Sequence, residues 1–217
     1  MGFDREARRV RDASLPDGYR LHALGSCIQL AQPIGFNATW SYLTDQLQSE
    51  WRDPRILSPA INLLEAERTA HLSICTEYAA SRRFEKAGGL RFPPRSHVTP
   101  RDPMRWHGDE RSGARHVLMS WSQRGRQFHI DVSSHPVGRG VIDAIEIALE
   151  GGALAGKVND LQSALEWARR QIHVIGWQDD EVQYRAAWST YRLLGQLHLL
   201  THGATRVATP WNFVTTE

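Results

Sequence analysis

The sequence predicts an α+β protein, predominantly helical, with a central antiparallel β-hairpin from His116 to Val132 packed on helices. Three observations lead there. Apolar residues recur at three- and four-residue spacing along most of the chain, the period of a helix with one buried face. Between His116 and Val132 that spacing gives way to alternation on both sides of Arg124-Gly125, the period of a strand. The chain has 217 residues, 41% hydrophobic and 23% charged, which suits a folded core without staples. One domain over 1–217 is expected. Its natural subdivision is a helical half, 1–89, and a half of loop, hairpin and three helices, 90–217.

The elements follow in order. Phe3 to Arg11 reads as a short basic helix, closed by Pro16-Asp17-Gly18. Tyr19 to Gln32 is apolar with a Gly-Ser interruption and leans to helix. Asn37 is a good cap for a helix from Ala38 to Trp51, and Pro54 stops it. Ser58-Pro59 opens the next helix, because a serine caps and a proline in the first turn gives up an N–H that has no helical partner. That helix carries Ile61, Leu64, Leu72, Cys75, Tyr78 and Ala79 and ends at Gly88-Gly89.

Leu90 to Gly113 holds four prolines and little periodicity, and reads as a long loop. In the hairpin, Val117, Met119 and Trp121 face Phe128, Ile130 and Val132 across a two-residue turn, so the large apolar groups share one face. Three helices complete the chain. The first runs from His135-Pro136 to Glu150, the second from Asn159 to Val174, and the third from Asp179-Asp180 to Leu200. Ala204 to Glu217 reads as an extended tail.

Cys27 and Cys75 sit in apolar stretches and read as reduced thiols. The N-terminus has no apolar leader run, and no stretch approaches the ~18 apolar residues of a membrane span. A cytoplasmic protein without membrane contact is therefore expected. Of the 26 basic residues only Lys86 and Lys157 are lysine. GC-rich codon usage accounts for such a bias, as does selection for bidentate recognition of phosphate or carboxylate. The composition suits a bacterial or phage accessory protein.

The net charge is only +2, but it is segregated. Arg82 to Arg126 holds eleven cations against four acids, a balance of +7, whereas Gly140 to Glu181 holds eight acids against three bases, a balance of −5. A basic loop and hairpin meets the demands of a phosphate backbone. The leading expectation is a binding protein for nucleic acid or another polyanion. Arg91, Arg95, Arg101, Arg105, Arg111, Arg115, Arg124 and Arg126 would contact phosphates, and Trp106 would stack on bases.

A second expectation is a metal-dependent hydrolase or nuclease. His129 and Asp131, two apart on one strand, share a face, with His107 and His116 near in sequence as further ligands or bases. A third is an interaction protein whose charged surfaces meet on a partner or on a second copy. No Walker loop, GxGxxG, GxSxG, CxxC, HExxH or EF-hand loop is present, so no cofactor is indicated and no metal site is assigned.

Overall fold

The computed structural model describes residues 2–50, 52–91, 104–124, 132, 136–172 and 181–203. Helices α1 (Phe3–Arg11), α2 (Asp17–Ala31), α3 (Phe36–Gln46), α4 (Leu57–Ala87), α5 (Glu110–Arg124), α6 (Pro136–Leu149), α7 (Val158–Arg170) and α8 (Glu181–His202) account for most of them. Short 3-10 turns at Pro54–Ile56 and Ala155–Lys157 lead into α4 and α7. Among the described residues there is no strand.

The fold is therefore helical rather than α+β, and the expected hairpin does not form. Its first strand lies in α5, and 125–131 fall outside the described residues. Two local effects favour the helix. Asp109 caps it, accepting the Ser112 N–H at 3.1 Å, and Glu110 follows in the first turn. The apolar residues also fit the helical period. Ala114 and Leu118, four apart, are fully buried, while Val117 and Met119 are only half-buried. The alternation at Val117, Met119 and Trp121 is a competing pattern, which would leave Leu118 off the apolar face.

Other boundaries moved for identifiable reasons. Pro16 starts α2 instead of ending α1, its carbonyl accepting the Tyr19 N–H at 2.9 Å. α3 begins at Phe36, after Gly35 at φ 86°, so Asn37 lies inside it and is not its cap. Pro54 occupies the first position of a 3-10 turn capped by Asp53, whose carboxylate accepts the Arg55 N–H at 2.9 Å.

The chain divides into two compact units, Met1–His116 and Val117–Glu217, with the division inside α5. In the first, α1 packs on α2 and α4, and α2 packs on α3 and α4. Val10, Leu24, Ile28, Leu43, Ile56, Ile61 and Leu64 are buried there. Two ion pairs tie α1 to α4. Arg11 holds Glu65 with two bonds of 2.6 Å, and Arg68 reaches Asp4 at 3.0 Å. In the second unit α6, α7 and α8 pack on one another around Val141, Ile145, Leu161, Leu165, Leu194 and Leu197, with Leu118 joining them.

α4 has 31 residues, roughly 46 Å at 1.5 Å per residue. Its first half is core. From His71 onward only His71, Cys75, Tyr78, Arg82 and Glu85 remain at least half-buried in this helix, a stripe spaced four, three, four and three residues apart. The helix ends in a Schellman motif. Gly89 is left-handed at φ 92°, Leu90 N–H donates to Glu85 O at 2.9 Å, and Gly89 N–H to Lys86 O at 3.1 Å. Arg82 braces this end from the side, donating to Leu90 O and Arg91 O and pairing with Glu85.

Candidate functional site

The described residues of the expected polyanion site do not form one surface. Trp106 is 3% exposed and lies against Tyr42, ring centroids 4.0 Å apart. It is held there by close approach of α5, since a Cβ on Gly113 would come within 2.7 Å of Trp106 Cβ. A ring so covered cannot stack on a base. Arg105 is half-buried and faces Glu110 at 3.8 Å. Arg82, counted in the basic run, is buried against Glu85. Arg91, Arg111 and Arg115 are exposed, the last two on the helix that replaces the hairpin. Arg95, Arg101, Arg126 and the side chain of Arg124 lie outside the described residues. Without the hairpin, and with its stacking residue buried, the nucleic-acid reading is withdrawn.

The metal-hydrolase expectation fares no better. His129 and Asp131 lie outside the described residues, and the segment expected to pair with theirs as a strand is helical, in α5. No group of three His, Cys, Asp or Glu able to hold a metal occurs among the described residues. His107 and His116 are positioned separately. His107 stacks on His71 with centroids 5.7 Å apart, its backbone N–H donating to Glu67 at 2.8 Å. Burial, with His71 and Arg105 nearby, lowers its pKa below 6.5.

His116 Nδ1 bonds Ser41 Oγ at 2.9 Å, and its Nε2 lies 3.5 Å from Asp45 Oδ2. Ser41 lines a groove of about 1260 Å³ beside Trp40 and Asn37. Serine, histidine and aspartate in a row invite comparison with a nucleophilic triad. The surroundings argue for a different role. Ser41 lies inside α3, where backbone N–H groups are spent on helix bonds and offer no oxyanion pocket. Asp45 is largely exposed, 61% at its side chain, which weakens its hold on the imidazole. The row ties α3 to the start of α5. Burial lowers the His116 pKa, and Asp45 only partly offsets this.

The outer end of α4 is different in kind. Phe84 is 84% exposed and Leu90 56%, and Ile74 is 37% exposed further back. Arg83, Lys86 and Arg91 surround Phe84 in sequence, all exposed, and no carboxylate among the described residues pairs with them. The only acid in the last turn, Glu85, is taken by Arg82. An exposed aromatic ring and three exposed cations that no described carboxylate pairs with thus lie within nine residues at a braced helix end.

No protein-family model, curated protein or solved structure matches this chain.

The sequence reading counted Arg82, Arg83 and Lys86 in the basic run but passed over Phe84. A signal was present. Ile61, Leu64, Leu72, Cys75 and Tyr78 form the apolar pattern of α4, and Phe84 falls off it. A large aromatic residue outside its helix's stripe is a residue that the core does not require.

No helix among the described residues is long and apolar enough to cross a membrane.

Proposed function

We propose that the chain is a protein-interaction module that presents the outer end of α4 to a protein partner. The observation that supports this is Phe84, exposed over 84% of its surface on a helix end that Arg82 and the Gly89 motif hold in shape. Aromatic and arginine side chains are the residues that most often anchor interfaces. A fixed helix gives up little conformational entropy when it docks. The matching partner surface is an apolar cleft rimmed by carboxylates. The cleft takes the Phe84 ring, and the carboxylates meet Arg83, Lys86 and Arg91.

The test is a photoreactive benzoylphenylalanine at position 84, irradiated in the native host. A discrete adduct is expected, with its partner-side link in an apolar segment flanked by Asp or Glu. The adduct should be lost with Arg83→Glu and Lys86→Glu together. A diffuse smear, or an adduct indifferent to charge reversal, refutes the reading. An adduct of the chain with itself would make the occupant a second copy instead.

A further inference from the structure

The middle of α4 carries an imidazole and a thiol one turn apart, at His71 and Cys75. Cys75 Sγ and His71 Nε2 are 3.4 Å from each other, within hydrogen-bond range for sulfur. Residues four apart share a helix face, so the helix itself fixes the pair. His71 is also held by His107, whose ring stacks on it with centroids 5.7 Å apart. The His107 side chain is only 10% exposed and its ring makes no hydrogen bond, Nε2 standing 4.0 Å from Glu67 Oε1. Neither member of the pair is enclosed. His71 lines a cavity of about 340 Å³, together with Glu67, Leu72 and His107. Cys75 is half-buried, and Leu72, Ile74 and Thr76 near it in the helix are exposed.

The geometry fits a chelate as well as a hydrogen bond. Zinc bonds a thiolate sulfur at ~2.3 Å and an imidazole nitrogen at ~2.0–2.1 Å. At tetrahedral angles those bonds set sulfur and nitrogen ~3.5 Å apart, against 3.4 Å here. In the hydrogen bond a single hydrogen lies between the two atoms, so both already converge on one point. A metal ion takes the place of that hydrogen with little movement of either side chain. Thiolate and imidazole are ligands that zinc-class ions favour. Two donors four apart on one helix face are also the spacing that zinc-binding helices use. The pair supplies two ligands, short of a closed four-residue site, and leaves the other positions to water.

We propose that Cys75 and His71 chelate a zinc-class divalent ion through Sγ and Nε2, the ion replacing the hydrogen between them. The proton passes to solvent, and neither sulfur nor metal changes oxidation state. Magnesium prefers oxygen ligands and does not compete. The site stands without the Phe84 surface.

The full chain, reduced and stripped of metal, is titrated with cobalt(II), a zinc stand-in whose thiolate-to-metal charge-transfer absorption reports a cobalt–sulfur bond. A saturable band is expected, lost on adding zinc(II) and unaffected by magnesium. Cys75→Ser should abolish the band, and Cys27→Ser should keep it, because Cys27 is fully buried. His71→Gln should weaken cobalt binding by roughly tenfold or more, since losing even an outer-shell partner costs about 10–100-fold. In the unaltered chain zinc should block labelling of Cys75 by a thiol reagent, a readout that needs no variant. The absence of a band, a band kept in Cys75→Ser, or labelling of Cys75 indifferent to zinc overturns the proposal. A band indifferent to His71→Gln does so too, because it marks a thiol acting alone. Cobalt bound without a thiolate band also overturns it, placing the ion on imidazoles such as the stacked His198 and His202 of α8.

Discussion

At the scale of single residues, burial decides which groups do what. Trp106 was the natural stacking residue by its loop position and arginine neighbours, yet it is the ring on which Tyr42 and the start of α5 close. Trp106→Ala is expected to destabilise the first unit by ~3–5 kcal/mol, the range for truncating a buried aromatic residue. Gly113→Ala should cost ~1–3 kcal/mol through overpacking against it. Urea denaturation followed by circular dichroism measures both. The two thiols should separate just as clearly. Cys27 is fully buried and burial pushes its pKa up to about 12, whereas Cys75 is half-buried beside His71 at 3.4 Å. A thiol-reactive disulfide reagent should label Cys75 in the native protein and reach Cys27 only on unfolding.

The buried histidines also fix a direction for pH dependence. Burial is the largest influence on His107 and His116, and it lowers both pKa values from 6.5. The unfolded chain then binds more protons than the folded one just below pH 6.5, so stability is full above that pH and declines as pH falls through the window down to the folded values. Glu67 and Glu110 act in the opposite sense. Burial raises their pKa values above 4.5, so the folded state holds protons that the unfolded state releases, and their contribution improves as pH falls toward 4.5. His116→Gln should flatten the decline below pH 6.5 in a series of urea midpoints. A decline unchanged by that substitution would place the titrating group elsewhere.

At the scale of elements, α4 carries the proposed interaction surface. Its inner half is core, its middle floors the Glu67 cavity, and its end presents Phe84. Arg82 is the brace for that end. Its guanidinium joins Glu85 to the carbonyls of Leu90 and Arg91, across the turn closed by Gly89. Arg82→Ala is expected to cost ~1–3 kcal/mol by leaving buried partners unsatisfied. Hydrogen exchange should show the loss as faster exchange over the last turn of α4. Phe84→Ser touches no packed group and should change stability by no more than ~0.5 kcal/mol. That pair of results separates a residue that shapes the helix end from one that only displays itself on it.

At the scale of the whole molecule, the net charge of +2 conceals an uneven distribution. The uneven distribution is not itself a binding surface. Much of the described basic run is matched locally, as Arg82 is by Glu85 and Arg105 by Glu110, and the acidic side is partly matched as Asp143 is by Lys157 at 3.1 Å. Arg83, Lys86 and Arg91, near the end of α4, are exposed with no described carboxylate paired to them. Association there should weaken with salt, because the Debye length falls from about 10 Å at 0.1 M to about 3 Å at 1 M. The yield of the position-84 adduct across a salt series measures it, and a yield that rises with salt would assign the contact to the aromatic ring alone.

The helices were largely legible because their signals are local. Gly88-Gly89 and Gly151-Gly152 close α4 and α6 through the left-handed conformation that glycine adopts without strain, and the three later helices begin within a few residues of their expected starts. The state of residues 116–124 was not legible in the same way. Alternation and helical spacing coexist there, and the choice fell to burial of Leu118 among helices distant in sequence. The candidate sites lay further from view. Glu67 and His107 are forty positions apart and meet only because α4 passes the segment before α5. A chain writes its caps, turns and apolar periods into neighbouring residues, so those were determined by the sequence itself. Which polar group loses its water, and which ring keeps it, depends on what other elements come to lie beside it, and only the tertiary structure decided that.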